Sequence, residues 1–316
     1  MASPIQFYRG FQALMRQHGI RHVLTSGMAC VEYGIQQNTK DTDWIIHPED
    51  LPALVAMLVE CERGLTGANW QVSYRSLFGA PLLEEYLTGG WTTHLAIRDE
   101  PTTAEHHLDF FGKAPRVRQD EWVPQSGGVA SRTVVAAMKK TDRPKDWAFV
   151  NGLALQACHE GDSAGLLHLR EIALLRAYWQ DLSVGEQDRL RAVRPLLGLL
   201  PSETDDRLER LLAIEKCVWE TVNRGRYLRY QNEWKEFYRR WQQDRVGEWP
   251  TSEPFAEQHR RVSRAATEHG LAPAPFSEPE QKAGLFEQAV QRAAAMMAAT
   301  PGELADVLFP ISEILP

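Results

Sequence analysis

The chain has 316 residues, 43% of them hydrophobic, and a formal net charge of -7 at pH 7. That length exceeds the usual size of one compact domain and supplies enough apolar material for a real core, so two domains are expected. The acidic balance excludes a protein that coats nucleic acid through overall charge, because that mode needs many Lys and Arg to displace counterions; any nucleic-acid contact must use a local patch.

The four cysteines, Cys30, Cys61, Cys158 and Cys217, lie far apart and form no CxxC pair. Neither a zinc site nor a disulfide framework is indicated, and a reduced, cytoplasmic location is the default expectation. The N-terminal apolar pattern is interrupted by Arg9 and Arg16, unlike the core of a signal peptide, and no run is long enough to span a bilayer.

Residues 4–18 have helical spacing, with Ile5, Phe11, Leu14 and Met15 expected to face inward and Gly19 to stop the helix. Residues 22–25 read as a short buried strand, 28–35 as helix, 41–46 as strand and 49–62 as a strongly apolar helix. Between Trp70 and Gly112 the segments QVSYRSLF, WTTHLAI and HHLDFFG carry strand signals. From Val129 onward the period is helical nearly throughout, and a Pro-rich stretch at 269–282 reads as a linker or long loop before an Ala- and Met-rich last helix. The fold class expected is α+β: a mixed β-sheet flanked by helices in residues 1–155, then a mostly α-helical domain in 156–316.

Asp41 and Asp43 stand one residue apart in the segment TKDTDWII, so on a strand their carboxylates point to one face. They follow a Ser26-Gly27 turn at a helix start, and convergent oxygen ligands near such a turn suit a metal-bound triphosphate. Transfer of a nucleoside monophosphate needs charge neutralised on the α-phosphate and the pyrophosphate while a hydroxyl attacks in line. Two Mg2+ ions about 3.5–4 Å apart do both when held by carboxylates. Asp109, a lone acid within HLDFF, is the candidate for the third metal ligand and for the base that takes the acceptor proton; the competing reading is a strand-end acid bonded to a backbone amide.

Lys139, Lys140, Arg143 and Lys145 form a basic cluster able to neutralise a triphosphate tail or, alternatively, to line a solvated helix end. Residues 224–245 interleave Arg with Tyr, Trp and Phe, a pattern that serves single-stranded RNA, such as a tRNA end, or an amphipathic helix packing Trp234, Phe237 and Trp241 inward. His106 and His107 are adjacent on a strand, face opposite ways and do not share a metal easily.

Taken together, Thr25-Ser26-Gly27-Met28-Ala29, Tyr33-Gly34, Thr39-Lys40-Asp41-Thr42-Asp43 and the later Met138-Lys139-Lys140-Thr141-Asp142-Arg143-Pro144-Lys145-Asp146 resemble the signature of the nucleotidyltransferase superfamily, in particular its minimal and AbiEii-like toxin branch. The resemblance covers residues 20–155. Ser26 stands where that branch has its first Gly, and Gln37 where it often carries Arg. The resemblance implies that Ser26 and Gly27 hold the β- and γ-phosphates, that Asp41 and Asp43 bind both Mg2+ ions, and that Asp109 binds one and acts as base. It implies an NTP substrate, an RNA (tRNA) or protein hydroxyl as acceptor, a role as toxin or phage-defence component, and a cognate antitoxin or regulatory protein as partner. Two alternatives stay open: a small-molecule adenylyltransferase of the aminoglycoside type, and a catalytically silent module that senses nucleotide or binds a partner.

Overall fold

A computed structural model describes residues 4–75, 78–99, 104–117, 128–244 and 249–315. Chain order begins with helix α1 (Pro4–Gln17), strand β1 (His22–Thr25), helix α2 (Ser26–Glu32), strand β2 (Asp41–Ile46), helix α3 (Leu51–Glu62), strand β3 (Trp70–Tyr74), helix α4 (Glu84–Thr88) and strands β4 (Thr92–Asp99), β5 (Ala104–Phe111) and β6 (Gly128–Val129). Helices α5 (Arg132–Lys139), α6 (Pro144–His159), α7 (Ile172–Gln180), α8 (Val184–Val193), α9 (Asp205–Gln243), α10 (Phe255–Glu268), α11 (Pro279–Met297), α12 (Pro301–Val307) and α13 (Ile311–Ile314) follow. The class is α+β, as expected.

The six strands form one mixed sheet in the order β3-β4-β5-β2-β1-β6. β2 pairs in parallel with β5, and β1 with β6, whereas the other neighbours are antiparallel. Alternation divides the central strands by face: Trp44, Leu108 and Phe110 are fully buried, while Asp41, Asp43 and Asp109 between them are only part-buried. The buried face is covered by α1, whose Phe11 ring lies 5.7 Å from Trp44 and 6.1 Å from Phe110. His106 belongs to this side and stacks on Phe7 at 3.8 Å, while His107 takes the opposite one beside Asp41.

Helix α1 ends where Gly19 adopts a φ of +68°, which L side chains avoid, and Ile20 N–H reaches back to the Met15 carbonyl. Its buried stripe is Phe7, Tyr8, Phe11 and Met15; Ile5, expected to point inward, is exposed, because Phe7 and Tyr8 lie one turn ahead of Phe11 and take the core positions. The second helix is shifted to Ser26–Glu32 from the expected 28–35, since Gly34 takes a φ of +69° and Tyr33 and Gly34 close the last turn.

Two compact units are present, and the chain does not divide at residue 155. One unit comprises Met1–Ala114, Val123–Ala130 and Arg229–Ser277; the other comprises Pro115–Trp122, Ser131–Leu228 and Glu278–Pro316. The expected boundary fails because α6 runs without interruption through residue 155 and because α10 packs on β3 and α3 of the sheet. Gln258 of α10 is fully buried and bonds both the Tyr74 amide and the Val72 carbonyl. Phe237 and Trp241 of α9 are buried in the same core, with Trp234 packed against it, so packing accounts for the spacing of these rings. The Pro-rich stretch is shorter than expected, since Pro279 already begins α11.

The helical unit has its own cores, one around Leu175, Trp179, Leu208 and Leu211, another around Val218, Trp219 and Phe309. Its helix starts follow local chemistry: Ser183 with Glu186 and Thr300 with Glu303 form reciprocal capping boxes. All four cysteines are buried and free. Among the described residues no helix is long and apolar enough to cross a membrane.

Candidate functional site

The site is built on the β1 to α2 turn. Thr25 closes the strand in extended conformation, and Ser26 then takes a φ of +53°. A non-glycine residue in this region costs about 1–2 kcal/mol and persists only where its surroundings enforce it. The next position has no room for a side chain, because a Cβ on Gly27 would lie 2.7 Å from Thr39 Oγ1 and 3.3 Å from Thr39 Cβ. Gln36 Nε2 donates to the Gly27 carbonyl at 2.7 Å. The loop from Gly34 to Lys40 is thereby held against the turn, and the chain leaves it directly into β2 at Asp41.

Strand register then gathers the acids. Thr25 is the Cα partner of Asp43, which is in turn the partner of Asp109 on β5, and Asp41 is paired with His107. Paired residues of adjacent strands project to the same side of a sheet, so Asp41, Asp43 and Asp109 share a face next to the Ser26-Gly27 turn. The aspartate at 109 does not mark a strand end: two further residues of β5 follow it.

Two of these carboxylates engage histidines. His94 Nδ1 meets Asp109 Oδ1 at 2.6 Å, with Arg75 Nη1 4.0 Å from the same oxygen. His107 Nδ1 meets Asp41 Oδ1 at 3.1 Å, and its Nε2 meets Glu105 Oε1 at 2.9 Å. His94 is the antiparallel partner of Asp109, and its ring sits against Gly79, where a Cβ would come within 2.8 Å of His94 Cδ2. Sequence reasoning missed His94 and Arg75. The signal for His94 was available in WTTHLAI, where a polar residue alternates with apolar ones, but only the pairing register brings it opposite residue 109.

The donor set suits a hard divalent cation, which takes carboxylate oxygens. Each described histidine contact occupies Oδ1, and imidazole donors to metal-bound carboxylates are ordinary outer partners. Among the described residues, no three His, Cys, Asp or Glu side chains are gathered as a ready metal cage; the shared face of Asp41, Asp43 and Asp109 comes from backbone register.

The basic residues lie in the helical unit. Lys139 and Lys140 are buried there: Lys139 Nζ is 3.9 Å from Asp146 Oδ1, while Lys140 Nζ donates to the Leu167 carbonyl at 3.0 Å and lies 4.3 Å from the centre of the Trp219 ring. Arg143 and Lys145 are exposed. Arg143 pairs with Asp146 at 2.7 Å, and Thr141 Oγ1 donates to the same carboxylate at 2.6 Å. Asp146 is therefore a buried hub within the KKTDRPKD segment.

Comparison of the chain with protein-family models, with curated proteins and with solved structures finds no match in any of the three.

Proposed function

We propose that the sheet-bearing unit is a Mg2+-dependent nucleotidyltransferase that moves a nucleoside monophosphate from an NTP to a hydroxyl, with RNA (tRNA) or protein as acceptor and a toxin or phage-defence role as the resemblance implies. The observation that carries this reading is the pairing of Asp43 with Asp109 on adjacent parallel strands, with Asp41 on the same face and a strained Ser-Gly turn beside them.

Asp41, Asp43 and Asp109 would hold the two Mg2+ ions, which when bound neutralise the triphosphate and polarise the acceptor oxygen. Ser26 and Gly27 would bind the β- and γ-phosphates at the turn that Thr39 and Gln36 brace. Asp109, with Oδ1 steadied by His94, would take the acceptor proton on Oδ2 as the acceptor oxygen bonds to the α-phosphorus and pyrophosphate departs.

The test is incubation with each of four α-labelled triphosphates and total cell extract, followed by separation of labelled RNA, protein and small molecules. Label should move to RNA or protein, and Asp41→Ala or Asp43→Ala should abolish transfer; undiminished transfer in both variants rejects the reading. Label on a small cationic sugar would instead identify an aminoglycoside-type acceptor. The His94 and His107 contacts favour one further reading, a nucleotide-sensing module in which these carboxylates are already engaged. Triphosphate binding without turnover would select it.

A further inference from the structure

The helical unit carries a partly open cavity of about 390 Å3, within the range of small-ligand sites. Four cationic side chains line it, Arg116, Lys140, Arg189 and Arg194, against two carboxylates, Glu215 and Glu313. Glu215 is already committed: it grips Arg194 through both oxygens at 2.7 Å each and lies 3.6 Å from Arg170.

Among the described residues, neither Arg116 nor Lys140 has such a partner. Arg116 gives its N–H groups to the carbonyls of Ala137 and Met138 and to Asn223 Oδ1, all neutral acceptors. Lys140, 6% exposed, has one neutral acceptor and the Trp219 ring. Among the described residues no carboxylate oxygen lies within 4.0 Å of either cation. Burial pulls Lys140 down to about 7; Glu215 acts against it, and repulsion from Arg194, Arg170 and Arg116 acts with it. His168, on the same wall, has a buried Nδ1 with no hydrogen-bond partner, and burial followed by Lys140 and Arg194 holds its ring well below the ordinary histidine range. Buried cations and an orphaned ring nitrogen around an open volume are costly unless an anion completes them.

We propose that this cavity is a binding site for a phosphate-bearing small molecule, its phosphate held by Lys140, His168 Nδ1 and Arg189. A phosphate brings close to two negative charges and three acceptor oxygens, which matches the buried Lys140 ammonium, the Arg189 guanidinium and the unpartnered His168 ring nitrogen. A lone phosphate would leave much of the volume empty, and the remaining wall includes Val117, Val134, Val193 and Leu167, surfaces for the organic part. The site is independent of the proposed transfer reaction, because Asp41, Asp43 and Asp109 belong to the other unit.

The experiment titrates the full chain by calorimetry with ribose 5-phosphate and, separately, with inorganic phosphate at constant ionic strength. Saturable binding is expected, weakened at least ~10-fold by Lys140→Met, since a charge-assisted bond is worth that much. Arg189→Ala, at an exposed position that does not threaten the fold, should weaken it several-fold, while Asp43→Asn should leave it unchanged. Ribose 5-phosphate binding the tighter by ~10-fold or more identifies an organic phosphate ligand; equal affinities identify inorganic phosphate. No saturable binding of either probe, or binding that Lys140→Met and Arg189→Ala leave intact, overturns the proposal.

Discussion

Asp43 and Asp109 are direct partners across two parallel strands, although 65 residues separate them in sequence and α3, β3, α4 and β4 intervene. Thr25, at the end of β1, completes the row on the other side of Asp43. If these acids hold Mg2+, millimolar Mg2+ should raise the melting temperature, by about 1.4 kcal/mol of stability at ten times Kd. In Asp43→Asn that increment should vanish while far-UV circular dichroism stays the same. An equal Mg2+ response in the variant counts against a shared ion.

The Ser26-Gly27 turn yields an opposite pair of outcomes. Gly27→Ala brings a methyl against Thr39 and should cost about 1–3 kcal/mol by urea denaturation. Thr39→Ala in the same chain should recover most of that loss, as a double-mutant cycle would register. Ser26→Gly should not lower stability, because the left-handed conformation is free for glycine.

In the helical unit, Arg194 and Glu215 are both 4% exposed and joined by two 2.7 Å bonds. Burial alone would push the Glu215 carboxyl up, but the Arg194, Arg170 and Lys140 charges hold it below the usual carboxylate range. Glu215→Ala strands those cations in the core and should cost about 3–5 kcal/mol, lowering the urea midpoint accordingly.

Acid should destabilise the chain from near neutrality. His259 packs against Tyr74, whose hydroxyl lies 2.7 Å from Nδ1, and burial pulls its ring down from 6.5 to about 4. The folded chain thus binds fewer protons than the unfolded one between those values. Stability is complete above pH 6.5, falls as pH drops toward 4 and levels off below, a change of about 3 kcal/mol for this ring. His22 and His168, also held down by burial, add in the same direction. His259→Gln should flatten part of the decline when unfolding free energies at pH 7 and pH 4.5 are compared; an unchanged slope would contradict the assignment.

The amino-acid sequence by itself determined the local elements: strand alternation marked HLDFF and DTDWII, and glycine ended α1, because these signals depend on neighbours within a few residues. Asp41 and Asp43 were legible as one face for the same reason. Only the tertiary structure decided that Asp109 stands beside Asp43, that His94 holds Asp109, and that Ile5 yields the core to Phe7. Pairing register and long-range packing are cooperative outcomes of the whole sheet, with no trace in local spacing. The two-unit division was decided there too, since α10 returns to the sheet through Gln258 and buried rings, and a hydrophobic stripe on a helix does not say which surface will cover it.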